Sequence, residues 1–96
     1  MKLRWTPEAA GSLEQIYSYV SLHHPEFLER TMKEIYSRIQ SLRAHHALGR
    51  PHPTESGCRI LVFTPMPYLC VYRIDMHAVT VLQIRHGARQ TAHEIQ

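Results

Sequence analysis

Three side chains in the second half of the chain have the chemistry needed to cleave RNA without a metal ion: Arg59, His86 and Arg89. An imidazole titrates near neutral pH, so His86 is a candidate for the proton transfer that this reaction requires. Guanidinium groups match phosphate oxygens, so Arg59 and Arg89 are candidates to hold the phosphate as charge develops, as is Arg85. Tyr68 is a candidate to stack on a base.

Each of these residues also has a purely structural interpretation, which the sequence leaves open. His86 would end a strand and hydrogen-bond a backbone carbonyl, and Arg59 would pair with an acidic side chain such as Glu55. Arg73 and Arg85 would be charges that discourage sheets from pairing edge to edge. The elements that position the residues therefore decide between the two interpretations.

The composition predicts one small domain, residues 1–96, with an acidic partner. Lys and Arg total 11 against 8 Asp and Glu, and this mild basic excess favours nucleic acid or an acidic protein as partner. Two cysteines do not make the disulfide framework of a small secreted protein. No apolar run approaches the roughly 20 residues that span a bilayer. Residues 1–5 lack the apolar region of a signal peptide, so we do not expect one. We expect a cytoplasmic protein without membrane contact.

The eight histidines invite the hypothesis of a metal site. They include two adjacent pairs, His23-His24 and His45-His46, and neighbours on a helix point about 100° apart, so each pair is a poor chelate. No Cys-x-x-Cys or His-x-x-x-His pattern occurs. We therefore expect neither a metal site nor a cofactor.

Helical periodicity marks the first half of the chain. Residues 1–5 alternate as a short strand does, and Thr6 followed by proline predicts a capped helix that runs to about residue 22. Pro25 opens a second helix, whose apolar stripe continues toward residues 46–48. A connection this short predicts that the two helices pack as an antiparallel hairpin.

The second half of the chain has the composition of a loop and three strands. Residues 50–57 contain two prolines and a glycine without periodicity, which predicts a loop. Residues 59–63, 68–74 and 79–85 predict an antiparallel meander, because turn residues separate them. Three polar loop residues are placed to face a ligand: Arg50, His52 and Thr54.

Pairing Ile74 with Val79 sets a register for the last two strands and gives both faces apolar character. One face is aliphatic and pairs Val71 with Leu82 and Leu69 with Ile84. The other pairs Tyr72 with Val81 and Cys70 with Gln83, and also carries Tyr68 and Arg85. Because a helix hairpin covers only one face, we expect another molecule to bind the second.

The turn at residues 64–67 leaves open which face meets the helices. It holds four or five residues, and one residue reverses the parity of the strand before it. With four residues Leu61 faces Cys70, and the thiols of Cys58 and Cys70 then point to opposite faces. We therefore expect no disulfide.

The order of elements and several sequence segments resemble the RelE/ParE superfamily of toxins over nearly the whole chain. The pattern Tyr-x-x-x-Tyr-Arg on the middle strand is followed by a Val/Leu/Ile strand that ends in His-x-x-Arg. The segments that carry the resemblance are Trp5-Thr6-Pro7-Glu8-Ala9, Leu13 with Ile16 and Tyr19-Val20, His24-Pro25, Gly49-Arg50-Pro51, Gly57-Cys58-Arg59-Ile60-Leu61, Pro67 to Ile74 and Val79 to Arg89.

The resemblance implies an α+β fold with an N-terminal strand, an antiparallel helix hairpin and a three-stranded antiparallel meander (β-α-α-β-β-β). It also implies the toxin of a bacterial type II toxin–antitoxin system, held in a hetero-oligomer by a cognate antitoxin whose acidic or amphipathic C-terminal segment wraps it. The residues we expect to contact antitoxin or target are Tyr68, Tyr72, Arg73, Arg85 and Arg50.

Two activities occur in the superfamily. RelE-like members cleave mRNA on the ribosome, and those resembling this chain carry arginine where Leu69 stands, or a second basic residue where Leu61 follows Arg59. ParE-like members inhibit DNA gyrase and cut nothing themselves. Because both positions lack a basic residue, the chain offers few cations for RNA cleavage, which favours a ParE-like toxin. A RelE-like ribonuclease and an inactive antitoxin-binding module stay open as alternatives.

Overall fold

A five-stranded sheet with two helices on one face forms the protein in the computed structural model, which describes residues 1–87. The strands are β1 (Lys2–Trp5), β2 (Arg50–Pro51), β3 (Cys58–Val62), β4 (Tyr68–Ile74) and β5 (Ala78–His86). Their spatial order is β1-β5-β4-β3-β2, with β1 parallel to β5 and the other pairs antiparallel. The predicted α+β class with strand, helix hairpin and meander is confirmed.

Helix α1 (Pro7–His23) begins as the sequence predicts. The side chain of Thr6 accepts a hydrogen bond from the backbone N–H of Ala9 at 3.0 Å, and proline occupies the first turn. The chain leaves α1 before Pro25, because the residue that precedes a proline disfavours the helical region. A short 3₁₀ turn, Pro25–Phe27, then leads into α2 (Leu28–Gln40).

Helix α2 ends earlier than the predicted residues 46–48. After Gln40 the chain makes one 3₁₀ turn, Ser41–Arg43, and then leaves the helical path. The reason is a contact with the sheet: the hydroxyl of Tyr72 donates to the carbonyl of His46 at 2.7 Å and accepts from the N–H of Gly49 at 2.9 Å. The segment predicted as the last helical turn is thus bound to the sheet, and part of the predicted 50–57 loop forms β2.

A β-bulge in β5 changes the predicted register. The pairs Ile74–Val79 and Tyr72–Val81 are confirmed, but no residue of β4 then lies opposite Leu82. Beyond it the predicted pairs Val71–Leu82, Leu69–Ile84 and Cys70–Gln83 are wrong. The observed pairs are Val71–Gln83, Cys70–Ile84 and Leu69–Arg85.

The bulge decides which side chains meet the helices. One extra residue reverses the alternation of β5, so Ile84 joins the face of Tyr72 and Val81, whereas Arg85 turns to the other face. The face that carries Tyr72, Val81 and Ile84 packs on α1 and α2, and together they form the core. The buried residues of the core are Ala9, Ile16, Val20, Ile35, Ile39, Leu42, Leu61, Phe63, Tyr68, Cys70, Tyr72, Val79, Val81 and Ile84.

The turn between β3 and β4 settles the parity of β3. Leu61 pairs with Cys70, as predicted for a four-residue turn, and the Phe63 N–H donates to the Tyr68 carbonyl at 2.9 Å. Cys58 therefore lies on the face opposite Cys70, and both thiols are free.

Candidate functional site

Basic side chains are concentrated on the face of the sheet that the helices leave uncovered, called here the helix-free face. Leu3 and Trp5 pack against the core, so alternation places the cations of β1 on this face, and pairing with Cys58 and Leu69 places two more there. No strand within residues 1–87 contains Asp or Glu. The basic residues of this face are Lys2, Arg4, Arg50, Arg73 and Arg85.

A groove of about 690 Å³ runs across the helix-free face. Its floor is apolar and includes Cys58, Val71 and Leu82, and the start of α1 forms one wall. The segment 52–55 forms the other, and it is ordered by His52, whose Nδ1 accepts from the backbone N–H groups of residues 54 and 55 at 3.2 and 3.0 Å. Two arginines, Arg73 and Arg85, and two glutamates, Glu8 and Glu55, line the groove around this floor, so its charge is mixed.

Arg85 reaches this groove within a hydrogen-bonded network. Its Nε donates to the Gln83 side chain, whose amide nitrogen donates in turn to the carboxylate of Glu8. Glu8 lies in the first turn of α1, where a negative charge also complements the helix dipole. The network links the guanidinium of Arg85 on β5 to Glu8 of α1.

Arg59 and Tyr72 lie on the opposite face, where they hold the segment before β2. The guanidinium of Arg59 donates to the Gly49 carbonyl at 2.6 Å and to the Ala47 carbonyl at 3.4 Å. Burial raises the pKa of Tyr72, and the Gly49 N–H and the Arg59 charge partly oppose that rise. A Cβ on Gly49 would lie 2.7 Å from the Ile60 carbonyl oxygen, so glycine is required there.

Tyr68 and His86 lie at the other end of the helix-covered face, in a cleft of about 650 Å³ between the helices and the β3–β4 turn. Their rings make an edge contact with centroids 5.8 Å apart. Burial, followed by the neighbouring Tyr19, raises the pKa of Tyr68. Arg38 also lines the cleft, but its guanidinium is paired with Glu34 at 2.8 Å.

The structure therefore does not bring the predicted catalytic residues together in one groove. Arg59 contacts backbone carbonyls beside β2, His86 lies in the cleft, and Arg89 lies outside the described residues. Of the predicted binding residues, Tyr68 and Tyr72 are buried on the helix-covered face. The helix-free face does collect Arg50, Arg73 and Arg85. The functional roles of all eight stay predictions.

Sequence reasoning missed four polar residues of the helix-free face. Lys2 and Arg4 were missed because the sequence did not indicate that β1 pairs with β5. Glu8 was missed because its position at the positive end of α1 gives no sign of a contact with the sheet, and the predicted register placed Gln83 beside Cys70. The alternation of Lys2, Leu3, Arg4 and Trp5 was the available signal that both cations share a face.

Residues 1–87 contain neither a cluster of metal ligands nor a membrane-spanning helix. No group of three or more His, Cys, Asp or Glu side chains in this range could hold a metal ion. Neither helix of the described chain has the length and apolar character required to cross a membrane.

Comparison with known proteins gives one family. The sequence model of the ParE toxin of type II toxin–antitoxin systems, parDE, matches residues 3–91. The chain is 32% identical over 89 residues to Y4kP of Sinorhizobium fredii, a protein named as a candidate toxin, and the match covers 93% of this chain and 91% of that protein.

Two solved structures are similar to the fold. A chain from the chromosomal ParDE toxin–antitoxin system of P. aeruginosa superposes with a TM-score of 0.79 at 27% identity, covering 90% of this chain and 95% of that one. The YoeB dimer of Staphylococcus aureus gives a TM-score of 0.56 at 16% identity, covering 86% and 92%, and shows likeness of fold alone.

Proposed function

Because the chain belongs to the ParE toxin family of type II toxin–antitoxin systems, we propose that it inhibits DNA gyrase and that its cognate antitoxin neutralises it by covering the helix-free face. The observation that carries the proposal is the family match over residues 3–91. Residues 1–96 form a single toxin domain, which acts in the cytoplasm, where gyrase meets DNA.

Charge supports the helix-free face as the antitoxin site. The strands of residues 1–87 place five cations and no acidic side chain on this face. Two of the cations, Arg73 and Arg85, line the groove, together with Glu8 and Glu55. Arg50 and Arg73 are exposed on this face. An acidic segment of the antitoxin gains both steering and specificity from such a surface, and its apolar side chains cover Val71 and Leu82.

The placement of the candidate catalytic groups favours gyrase over mRNA as the target. Ribonuclease members that resemble this chain have an arginine where Leu69 stands, and Leu69 lies opposite Arg85 on the helix-free face. The guanidinium of Arg59 is engaged by backbone carbonyls, and His86 opens into a different groove. A nucleophilic 2′-hydroxyl, its phosphate and a proton donor have no common site among these residues.

The target is tested by adding purified toxin to two assays. We expect micromolar toxin to stop supercoiling of relaxed plasmid by gyrase, and stoichiometric antitoxin to restore it. Translating ribosomes with the same toxin should keep their mRNA intact. Unimpaired supercoiling would reject the gyrase target, and transcripts cut on the ribosome would establish the ribonuclease alternative.

The antitoxin surface is tested by charge reversal at Arg50→Glu and Arg73→Glu. Each exposed cation is expected to contribute to antitoxin affinity, so the double variant should bind at least about tenfold more weakly, or 1.4 kcal/mol, in isothermal titration calorimetry at moderate salt. Lys33→Glu, an exposed reversal on α2, is the matched control and should leave affinity unchanged. Equal affinity of all variants would remove the helix-free face from the proposal.

A further inference from the structure

A short segment between β2 and β3 forms one wall of the groove on the helix-free face, and backbone hydrogen bonds hold both of its ends. The backbone N–H of His52 donates to the Cys58 carbonyl at 2.9 Å, which ties the start of the segment to β3. The Cys58 N–H donates in turn to the Glu55 carbonyl at 3.2 Å, which ties the end. Residues 53–55 are exposed, so packing contributes little to their order.

The imidazole of His52 supplies the order that packing does not. Its Nδ1 accepts hydrogen bonds from the backbone N–H groups of Thr54 at 3.2 Å and Glu55 at 3.0 Å, and the Thr54 hydroxyl oxygen lies 3.4 Å away. Because a backbone N–H is always a donor, Nδ1 must carry a lone pair and no proton. Only the neutral ring with its proton on Nε2 meets this condition, since a protonated imidazole has donors at both nitrogens and no acceptor.

We propose that protonation of His52 releases residues 53–55, so that this wall of the groove is ordered near neutral pH and opens in acid. The ring then changes from an acceptor for two backbone donors into a donor that faces them, and both hydrogen bonds are lost. The backbone bonds between Cys58 and the two ends of the segment involve no titratable atom. This property belongs to the free toxin, so it goes beyond the proposed function and does not depend on it.

Charged side chains of both signs surround the segment. Those that line the groove with His52, or share its face on β2, are Glu8, Glu55, Arg73, Arg85 and Arg50. Glutamate side chains titrate about two pH units below imidazole, and arginine does not titrate in this range. A response centred between about pH 5 and about pH 8 therefore distinguishes the ring from these neighbours.

NMR spectroscopy of the full-length, ¹⁵N-labelled toxin tests the proposal across this pH range. The amide resonances of Thr54 and Glu55 should move together with the ring resonances of His52 and with the same midpoint. Their backbone order parameters should fall from about 0.85 at the higher pH to below about 0.6 at the lower one. The amide resonances of Phe63 and Val81, which are fully buried, should stay in place and show that the fold persists.

The substitution His52→Asn separates the acceptor from the charge. An asparagine oxygen takes the place of Nδ1 and does not titrate, so Thr54 and Glu55 should remain ordered at either pH. His52→Ala removes the acceptor and should leave both residues mobile at either pH. His77→Asn, which replaces an exposed histidine of the β4–β5 turn, is the matched control and should respond to acid as the wild type does.

Three results would overturn the proposal: resonances of Thr54 and Glu55 that do not change with pH in the wild type, an acid response that persists in His52→Asn, or a segment in His52→Ala that is as ordered as in the wild type at the higher pH.

Discussion

The two faces of the sheet differ in what their polar side chains do, and two neighbours on β4 illustrate the difference. Tyr72 is fully buried against the helices, and its hydroxyl bonds two backbone groups of the segment before β2. Arg73, the next residue, is exposed on the helix-free face. Tyr72 therefore uses its polar group to hold the fold together, whereas Arg73 leaves its charge exposed to solvent.

Arg59 and Arg73 show the same difference between the faces for a single residue type. Both are strand arginines, and from their side chains alone both are candidates to bind phosphate or carboxylate. The parity of β3 turns Arg59 toward Gly49 and Ala47, whose carbonyls accept its hydrogen bonds. A cation on a strand is thus available to a ligand only where its face remains uncovered.

Thiol labelling should give the largest contrast between the faces. Burial raises the pKa of Cys70 from 9.0 to about 12, which lowers its thiolate fraction at pH 8 roughly a thousandfold. Cys58 is also largely buried, at 9% exposure, but it lines the groove on the helix-free face, whereas Cys70 has no exposed surface. We expect iodoacetamide to modify Cys58 first, as measured by peptide mass spectrometry, with Cys58→Ser and Cys70→Ser as controls. Comparable labelling of Cys70 in the folded protein would show that the helix-covered face opens.

Truncation of adjacent apolar residues should follow the same division. Phe63 is fully buried in the core, and Phe63→Ala should lower the free energy of unfolding by about 3–5 kcal/mol because it leaves a cavity. Val62 is 43% exposed, and Val62→Ala should change it by no more than about 0.5 kcal/mol. Urea denaturation of both variants measures the difference. Similar losses of unfolding free energy in the two variants would mean that side chains on both faces are closely packed.

Removal of the Tyr72 hydroxyl should lower the free energy of unfolding by an intermediate amount. Tyr72→Phe leaves the Gly49 N–H and the His46 carbonyl without this partner and should cost about 1–3 kcal/mol, while the Arg73→Ala control should cost less than about 0.5 kcal/mol. Since the pKa of Tyr72 is raised on folding, its stabilising contribution is present below pH 10 and is lost as pH rises toward the folded-state pKa. The difference between wild type and Tyr72→Phe should therefore narrow above pH 10 in thermal melts. A difference in stability between the two proteins that stays constant across this pH range would show that the loss comes from packing and not from the hydroxyl's hydrogen bonds.

The smallest effect is expected at the β4–β5 turn, which belongs to neither face. Hydrogen bonds from the His77 and Ala78 N–H groups, each 2.8 Å, lower the pKa of Asp75 below 3.8. A carboxylate with a lowered pKa stabilises the fold above its unfolded pKa and stops doing so as pH falls through the folded one. Asp75→Ala should thus lower Tm slightly at pH 7 and no longer do so near pH 2. Asp75→Asn retains an acceptor and should lower Tm less; an equal loss at both pH values would exclude the charge as the cause.

The sequence alone was sufficient for the order of the two helices and four of the five strands, because the signals are local. Thr6 with its following proline starts α1, apolar spacing marks both helices, and turn residues separate the three long strands. The pairing of Ile74 with Val79, assumed from the short turn between them, is observed, whereas the pairing of Leu61 with Cys70 was one of two alternatives that the turn at residues 64–67 left open. The family resemblance came from these same segments.

Which side chains remain uncovered depends on contacts between segments that lie far apart in the sequence. Leu82 has no local feature that marks a bulge, yet it transfers Ile84 to the core and Arg85 to the helix-free face. The pairing of β1 with β5 and the contact of Tyr72 with residues 46–49 join segments far apart in the chain. Periodicity reports how a side chain alternates with its neighbours, but the face it occupies depends on which distant elements cover the sheet.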